Sequence, residues 1–312
     1  MKKLEAVIFD WAGTTVDYGC FAPVQAFAEV FKAFGIEPAM EEVREPMGML
    51  KRDHIKAMLA MPRIRTLWEE KYGRPSEEAD IDSLYQMFEG KLMSILENFT
   101  DIKPGVLETV KVLREKGIAI GSTTGYTDGM MEIVVKKAEE HGYKPDAWFS
   151  PDSTNKMGRP YPYMIYRNME AFAVSSADGV VKVGDTVSDI KEGKSAGVFS
   201  IGIIEGSSEM GLSREEYDSL TGEEKSRRAA LVTAKYAEAG ADAVIHAQQR
   251  LVQSLRHALG HIFAVAGAGK IEDHMKTPSQ NVFNIVAVGR KMCKQAPAHF
   301  LLSFCGGIGI IE

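Results

Sequence analysis

Short apolar runs alternate with stretches of helical periodicity along most of the chain. The apolar runs lie at residues 6–9, 118–122, 180–183 and 198–203, and each is bounded by turn residues. Strands separated by helices in this way are typical of a parallel sheet that is covered by helices on both faces. The pattern therefore predicts an α/β fold built on a doubly wound parallel sheet.

The stretch between the first two predicted strands differs, because its apolar positions recur at helical spacing with almost no strand signal. The segments that show this are PVQAFAEVFKAFG, EEVREPMGMLKRDHIKAMLAM and IDSLYQMFEGKLMSILENF. The Pro-Gly pair in DIKPG marks the return to the main domain. We therefore predict a Rossmann-like core of residues 1–19 and 101–257, with an all-helical cap of residues 20–100 inserted into it. Within the core, residues 213–240 are predicted to be rich in helix and residues 243–246 to add an edge strand.

Composition limits the class of partner. Of the 312 residues, 45% are hydrophobic and 26% are charged, as in ordinary globular proteins, and the net charge is -6. This acidic balance gives no reason to expect nucleic acid or an anionic membrane as a partner. Cys20, Cys293 and Cys305 are too few and too scattered for a disulfide framework, which fits a reducing cytoplasm. The apolar runs are far shorter than the ~20 residues of a membrane-spanning helix, so no span is predicted.

Polar side chains follow the predicted strands at four places. They are Asp10 in FDWAGTT, Thr124 in IGSTTGY, Arg159 in GRPYP, and the pair Asp185 and Asp189 in VGDTVSD. Taken singly, each would more often be a helix cap or a turn residue. Ligands of open α/β sheets bind at the carboxyl ends of the strands, and four such segments in order predict one functional site there.

These four segments resemble the motifs of the haloacid dehalogenase superfamily. Its members carry a nucleophilic Asp in a DxDGT-like loop, a Ser or Thr after the second strand, a Lys or Arg before a Pro, and a GDxxxD loop. The resemblance covers residues 1–257. Asp10 can attack phosphorus to form an aspartyl-phosphate, Thr124 can donate a hydrogen bond to the phosphoryl group, and Arg159 supplies a fixed positive charge.

The resemblance also implies a Mg²⁺ site. Asp185 is a hard oxygen ligand, and a metal bound between it and Asp10 would neutralise two approaching anions. Asp189 lies one helical turn further on and is expected to support the metal ligands. The resemblance implies that the backbone carbonyl of Ala12 completes the protein ligands.

Ala12 also departs from the superfamily pattern. In relatives that hydrolyse phosphate esters, a second Asp at this position protonates the leaving alkoxide and then activates water. A methyl group cannot donate a proton, so Ala12 argues against an ordinary ester phosphatase. The alternatives are a relative that lost its acid and a leaving group that is activated in another way.

The cap segment EPMGMLKRDHI places Lys51 directly after a Met-Gly-Met-Leu turn. By itself, such a lysine would most simply be a solvated residue at a helix start. A lysine desolvated beside Met47 and Met49 would instead have a lowered pKa and could attack a carbonyl as an amine. The segments FDWAGTTVDYG, MGMLKRDH, GSTTGY, GRPYP and KVGDTVSD together resemble the phosphonatase branch of the superfamily. In that branch the cap lysine forms a Schiff base with the substrate aldehyde.

This branch hydrolyses the carbon-phosphorus bond of phosphonoacetaldehyde, which implies a small-molecule phosphonate as the substrate. A protonated imine on Lys51 would accept the electrons of the breaking bond, so that an enamine leaves instead of an unstable carbanion. Asp10 would attack phosphorus as the carbon departs, and water would then release phosphate. Ala12 fits this reaction, because no alkoxide forms.

The resemblance places further residues near the lysine and the substrate: His54, Tyr126, Met47, Gly48 and Cys20. His54 could shuttle protons during imine formation. The plain alternatives are a core methionine, a small buried cysteine, a tyrosine at a strand end and an exposed helical histidine. By the same analogy the protein is expected to be a homodimer.

Two competing functions remain open on the sequence. One is a Mg²⁺-dependent phosphatase or phosphomutase of the same superfamily, which Ala12 and the surroundings of Lys51 disfavour. The other is a non-catalytic sensor of phosphate compounds, which the retention of Asp10, Asp185 and Asp189 disfavours. Residues 258–312 stay unassigned. Their AGAGK segment is not a P-loop, because Ile271 follows the lysine where Ser or Thr is needed.

Overall fold

The computed structural model describes residues 4–253 and 286–287. A sheet in the order β3-β2-β1-β4-β5-β6-β7 forms its centre. The strands are β1 Ala6–Phe9, β2 Ala119–Thr123, β3 Ala147–Phe149, β4 Val180–Gly184, β5 Phe199–Ile203, β6 Ala243–Ile245 and β7 Val286–Ala287. The first six pair in parallel, and β7 is antiparallel to β6. The predicted α/β fold with a parallel sheet is confirmed.

Helices occupy most of the chain between the strands. They are α1 Phe21–Ala33, α2 Met40–Arg44, α3 Lys51–Ala60, α4 Pro62–Tyr72, α5 Glu78–Ile95, α6 Val106–Glu115, α7 Asp128–Glu140, α8 Tyr163–Ala171, α9 Val187–Ala196, α10 Arg214–Ser219 and α11 Gly222–Glu238. Short 3-10 helices occur at Leu96–Phe99, Pro151–Thr154, Ala177–Gly179 and Gln248–Arg250. In the described part of the chain, no helix is both long and apolar enough to cross a membrane.

The two central strands, β1 and β4, are buried along their whole length. Burial of both faces explains why β1 is apolar at every position. Lys182 in β4 is the exception, since it is a charged side chain with no exposed surface. The strand order sets β2, β1 and β4 side by side. Thr124, Asp10 and Asp185 directly follow these three strands, so the fold brings them to one edge of the sheet.

The helices α1 to α5 form the insertion between β1 and α6 that the periodicity predicts. In its interior Phe27 stacks on Phe88 and on His54, with ring centroids 4.1 Å and 3.8 Å apart. The segments that lead into and out of the insertion are joined by a hydrogen bond, which Lys103 N donates to Thr15 O at 2.9 Å. The predicted domain limits, with the cap at residues 20–100, stay a prediction.

The structure differs from the sequence prediction at the two sides of the sheet. Strand β3 was not predicted, because three half-buried residues leave too short a pattern. Arg159 was expected directly after a predicted strand, but the 3-10 helix Pro151–Thr154 separates it from β3. The edge strand predicted at residues 243–246 forms as β6, but β7 pairs with it, so β6 is not the edge. The unassigned residues 258–312 lie outside the described residues, apart from the two residues of β7.

Candidate active site

A cavity opens where the helical insertion meets the carboxyl edge of the sheet. Its lining consists of Asp10, Ala12, Cys20, Met47, Gly48, Lys51, Thr124, Gly125, Tyr126, Arg159 and Thr186. Most of the residues that the sequence singled out are therefore brought together here. His54, Asp185 and Asp189 are buried nearby but do not line the cavity, and Gly125 and Thr186 were not predicted.

Asp10 and Arg159 form a buried ion pair on the core side of the cavity. Asp10 continues β1 through a 3.0 Å hydrogen bond from its amide to Val183 O. Its Oδ1 lies 2.5 Å from Arg159 Nη2, which also donates to Thr123 O at 3.1 Å. Burial alone would lower the pKa of Arg159, but the carboxylates of Asp10 and its neighbours raise it well above its usual value. Arg159 is thus a fixed cation beside Asp10.

A cluster of buried carboxylates lies next to this pair. Oxygen atoms of Asp10, Asp185 and Asp189 all lie within 4.8 Å of one another. Burial, followed by the charges of the other two carboxylates, raises the pKa of Asp185 well above its usual value. Clustered hard oxygen donors of this kind fit a divalent cation, which would offset their mutual repulsion.

Asp189 is occupied by protein groups. Its Oδ1 lies 2.9 Å from Lys182 Nζ and 3.1 Å from Arg159 Nη2. Its Oδ2 accepts a 2.6 Å hydrogen bond from the Thr186 hydroxyl. Burial would raise the pKa of Asp189, but the charges of Arg159 and Lys182 outweigh it and lower the pKa. The role of Asp189 in supporting the metal ligands stays a prediction.

Asp185 is held by groups that sequence reasoning missed. Thr14 Oγ1 donates to Oδ1 at 2.9 Å, and Ser208 N donates to Oδ2 at 2.7 Å. Gly13 has φ +83°, and a Cβ there would lie 2.1 Å from Asp185 Oδ2, so only glycine fits. Thr14 and Gly13 belong to the loop that carries Asp10, which is the one signal that could have found them. Ser208 is distant in sequence and gave no such signal.

Lys51 stands on the cap side of the cavity as the first residue of α3. The side chain is buried, and Nζ lies 5.0 Å from the ring centroid of Tyr126 and 5.9 Å from that of Phe27. None of the described residues gives this amine a hydrogen bond or an ion pair. Burial among apolar groups lowers the pKa of Lys51, so more of the amine is neutral at a given pH than for a solvated lysine.

His54 lies one turn after Lys51 on the same helix and is fully buried. Its Nε2 is 2.9 Å from Val43 O, while Nδ1 has no hydrogen-bond partner among the described residues. Burial, followed by the charge of Lys51, lowers the pKa of His54 well below its usual value. Burial therefore favours the neutral form of the ring. Its predicted proton-shuttle role stays a prediction.

The remaining predicted residues also line the cavity: Cys20, Met47, Gly48, Thr124 and Tyr126. Burial, followed by the charge of Asp17, raises the pKa of the Cys20 thiol, and burial raises that of Tyr126, so both stay protonated. Thr124 Oγ1 accepts a 3.0 Å hydrogen bond from Tyr126 N, which leaves its hydroxyl proton free to be donated.

The model of one protein family, described as a hydrolase of the haloacid dehalogenase-like type, matches residues 4–197. The chain belongs to this family of haloacid dehalogenase-like hydrolases. Hydrolases of the family generally use a divalent metal, with which the buried carboxylate cluster is compatible.

Within the family, the chain is similar to proteins named phosphonoacetaldehyde hydrolase. It is 55% identical over 223 residues to the one from Lysinibacillus sphaericus, with 72% of this chain and 83% of that protein covered. A bifunctional phosphonoacetaldehyde hydrolase/aminoethylphosphonate transaminase from Clostridioides difficile is 50% identical over 250 residues. That alignment covers 80% of this chain but only 39% of the longer relative. The crystal structure of a phosphonoacetaldehyde hydrolase-like protein from Oleispira antarctica has a TM-score of 0.80 at 35% identity, covering 85% of this chain and 96% of that one.

Proposed function

We propose that this chain hydrolyses the carbon-phosphorus bond of phosphonoacetaldehyde to acetaldehyde and phosphate. The observation that carries the proposal is the Lys51 amine, which is buried, unpaired among the described residues and on the wall of the same cavity as Asp10. An amine nucleophile and a carboxylate nucleophile that face one small cavity suit a substrate with an aldehyde at one end and phosphorus at the other. The names of the relatives at 50 to 55% identity support the same reaction.

The amine acts first. Lys51 attacks the aldehyde carbon, water is lost, and a protonated imine forms. The lowered pKa of Lys51 favours this step, because only the neutral amine is nucleophilic. Met47, Cys20 and Tyr126 line the same cavity as the amine. We assign the substrate aldehyde to this cap side, with His54 and Gly48 next to it.

Asp10 acts second. Arg159 engages Oδ1, while Oδ2 has no hydrogen-bond partner in the described part of the chain and can attack phosphorus. The electron pair of the carbon-phosphorus bond passes into the imine, and an enamine leaves. Protonation of the enamine carbon and hydrolysis of the imine release acetaldehyde and the free Lys51 amine. Water cleaves the aspartyl-phosphate and releases phosphate. Thr124 and Arg159 bind the phosphoryl oxygens throughout.

Mg²⁺ is the metal that we propose for the carboxylate cluster. Asp10, Asp185 and the backbone carbonyl of Ala12 would hold it, and Asp189 would support Asp185. When bound, the ion would offset the negative charge that accumulates between Asp10 and the phosphoryl group. A cytoplasmic location and a homodimer stay predictions.

A substrate comparison tests the proposal. Phosphonoacetaldehyde should give acetaldehyde and phosphate in equal amounts, while a panel of small phosphate esters should give almost none, because Ala12 cannot protonate an alkoxide. The Asp10→Asn variant serves as the control for phosphate released by other means. Rapid ester turnover without phosphonoacetaldehyde turnover would favour the phosphatase alternative and reject the proposal.

A further inference from the structure

Two buried charged residues next to the cavity take no direct part in the proposed reaction. Lys182 in β4 and Glu192 in α9 have no exposed surface. Neither lines the cavity, and both contact Arg159 or its partners. Burying an ion pair costs solvation free energy of several kcal/mol per ion, so its presence calls for a reason beyond stability.

Lys182 and Arg159 are held by the same three oxygen atoms. Glu192 Oε2 lies 3.1 Å from Arg159 Nε and 3.2 Å from Lys182 Nζ. Thr123 Oγ1 lies 3.2 Å from Arg159 Nη2 and 2.7 Å from Lys182 Nζ. Asp189 Oδ1 lies 3.1 Å and 2.9 Å from the same two nitrogens. Both cations therefore lie within ion-pair or hydrogen-bond distance of the same three oxygens.

The two cations differ in their contact with Asp10. It pairs with Arg159 at 2.5 Å, and within residues 4–253 no other cation lies within ion-pair distance of it. The guanidinium is bonded through Nε to Glu192 and through Nη2 to Asp10. A planar group bonded at two edges has a fixed orientation. Lys182 meanwhile neutralises the carboxylates that would otherwise draw Arg159 away from Asp10.

We propose that Lys182 and Glu192 are positioning residues for the phosphoryl step. Glu192 fixes the Nε edge of Arg159, and Lys182 balances the charge of Glu192 and Asp189, so that Nη2 faces Asp10 and the phosphoryl group. The inference rests on the proposed function, because it assigns Arg159 to the attack on phosphorus and leaves imine formation at Lys51 unaffected.

Glu192→Gln tests this assignment, because it keeps the side-chain size and one acceptor oxygen but removes the charge. Three quantities are measured in the full chain: turnover of phosphonoacetaldehyde, the yield of the borohydride-reduced adduct on Lys51, and the melting temperature. Turnover should fall by about tenfold to a hundredfold, as for other residues that orient catalytic groups, while the Lys51 adduct yield stays at the wild-type level. The matched control is Lys194→Met. It removes the ion pair between Lys194 on α9 and Asp242, whose charged atoms lie 2.8 Å apart, and it should change neither the turnover nor the adduct yield.

A second variant separates positioning from folding. Lys182→Met combined with Glu192→Gln removes both charges, so that no single buried charge is left without its partner. This double variant should fold and form the Lys51 adduct, yet remain slow in turnover. Wild-type turnover in the double variant, or adduct yield and turnover that fall together with the folded fraction, would overturn the proposal. If the wild-type chain releases phosphate but forms no Lys51 adduct, the imine step is rejected, and phosphate release by the variants still decides the positioning role.

Discussion

Ala12 and Lys51 line the same cavity, and the proposed role of Lys51 explains why no acid is needed at position 12. Ala12 offers a methyl group where an acid would protonate an alkoxide, and Lys51 offers an amine that can make a carbon leaving group stable. A reaction that proceeds through an imine needs the second residue and not the acid. The structure supports this division, because the amine is buried and has no ion-pair partner among the described residues.

Replacing Lys51 by arginine separates its charge from its nucleophilicity. Lys51→Arg keeps a cation beside Tyr126 but cannot form an imine, because a guanidinium stays protonated. We expect turnover of phosphonoacetaldehyde to fall by at least about a thousandfold, as when a covalent nucleophile is removed. Lys56→Arg is the control, since Lys56 lies on the same helix but pairs with Glu78 at the surface. Comparable turnover in the two variants would exclude a covalent role for Lys51.

The pH dependence of Lys51 follows from its burial, which lowers its pKa from the ordinary 10.5. An amine is reactive above its pKa and protonated below it, so a lowered pKa moves the rise in reactivity to lower pH. With acetaldehyde and cyanoborohydride, adduct formation on Lys51 should therefore rise at lower pH than on Lys137, whose pKa is raised by its hydrogen bond to Glu140. Mass mapping across the pH range measures both residues in one sample. If adduct formation on both lysines rises at the same pH, burial does not lower the pKa of Lys51.

At the scale of elements, the turn before α3 decides how closely the cap meets the core. Gly48 has φ +86°, and a Cβ there would lie 2.5 Å from Thr186 Oγ1 and 2.9 Å from Ser188 Cβ. Ser188 also donates a hydrogen bond to Met47 O at 3.4 Å. Arg44 adds a second connection, since Nη1 donates to Gly19 O at 2.9 Å. The cap turn thus rests on the N-terminal end of α9.

Gly48→Ala should force this contact apart. The added methyl group would clash with Thr186 and Ser188 of the core. The turn before α3 would then move away from the core, and Lys51 would lie farther from Asp10. We expect kcat/KM to fall by about a hundredfold, the cost of a displacement near 1 Å at an active site. Gly73→Ala is the matched control: it also has positive φ, at +67°, but nothing lies within 4 Å of its Cβ. Equal effects of both variants would attribute the loss to backbone strain alone.

The elements show what the sequence can and cannot predict. The short apolar runs of β1 and β4 were predicted within one residue, because buried parallel strands are mostly apolar. Strand β3 was missed, since three half-buried residues carry no periodicity. Arg159 was predicted as a site residue, but its partner Glu192 was not, because a contact between a loop and a helix far apart in sequence leaves no local pattern.

Across the whole molecule, buried charges on or next to three elements converge on one edge of the sheet. Asp10 follows β1, Lys182 lies in β4, Asp185 follows β4, and Asp189 and Glu192 lie in α9. Motif spacing predicted Asp10, Asp185 and Asp189, but not Glu192. Lys182 was visible in the sequence as a charge within an apolar strand, yet only the fold shows that it balances Asp189 and Glu192.

Metal binding should therefore stabilise the whole fold. Burial, followed by the charges of Asp10 and Asp189, raises the pKa of Asp185, and a bound divalent cation would offset the repulsion among these carboxylates. At a hundredfold excess of Mg²⁺ over its Kd, the melting temperature of chelator-treated protein should rise by about 5 to 10 °C. Asp185→Asn should raise the melting temperature without metal and abolish most of the shift. A wild-type melting temperature that does not change on addition of Mg²⁺ would contradict a metal site at the carboxylate cluster.

Trapping the imine during turnover tests whether one small cavity brings a Lys51 imine to the Asp10 nucleophile. The full chain is mixed with phosphonoacetaldehyde, reduced with borohydride during turnover and mapped by mass spectrometry. We predict one stable adduct, on Lys51, with activity lost in proportion to its formation. Continued phosphate release from reduced protein with Lys51 unmodified would contradict the account.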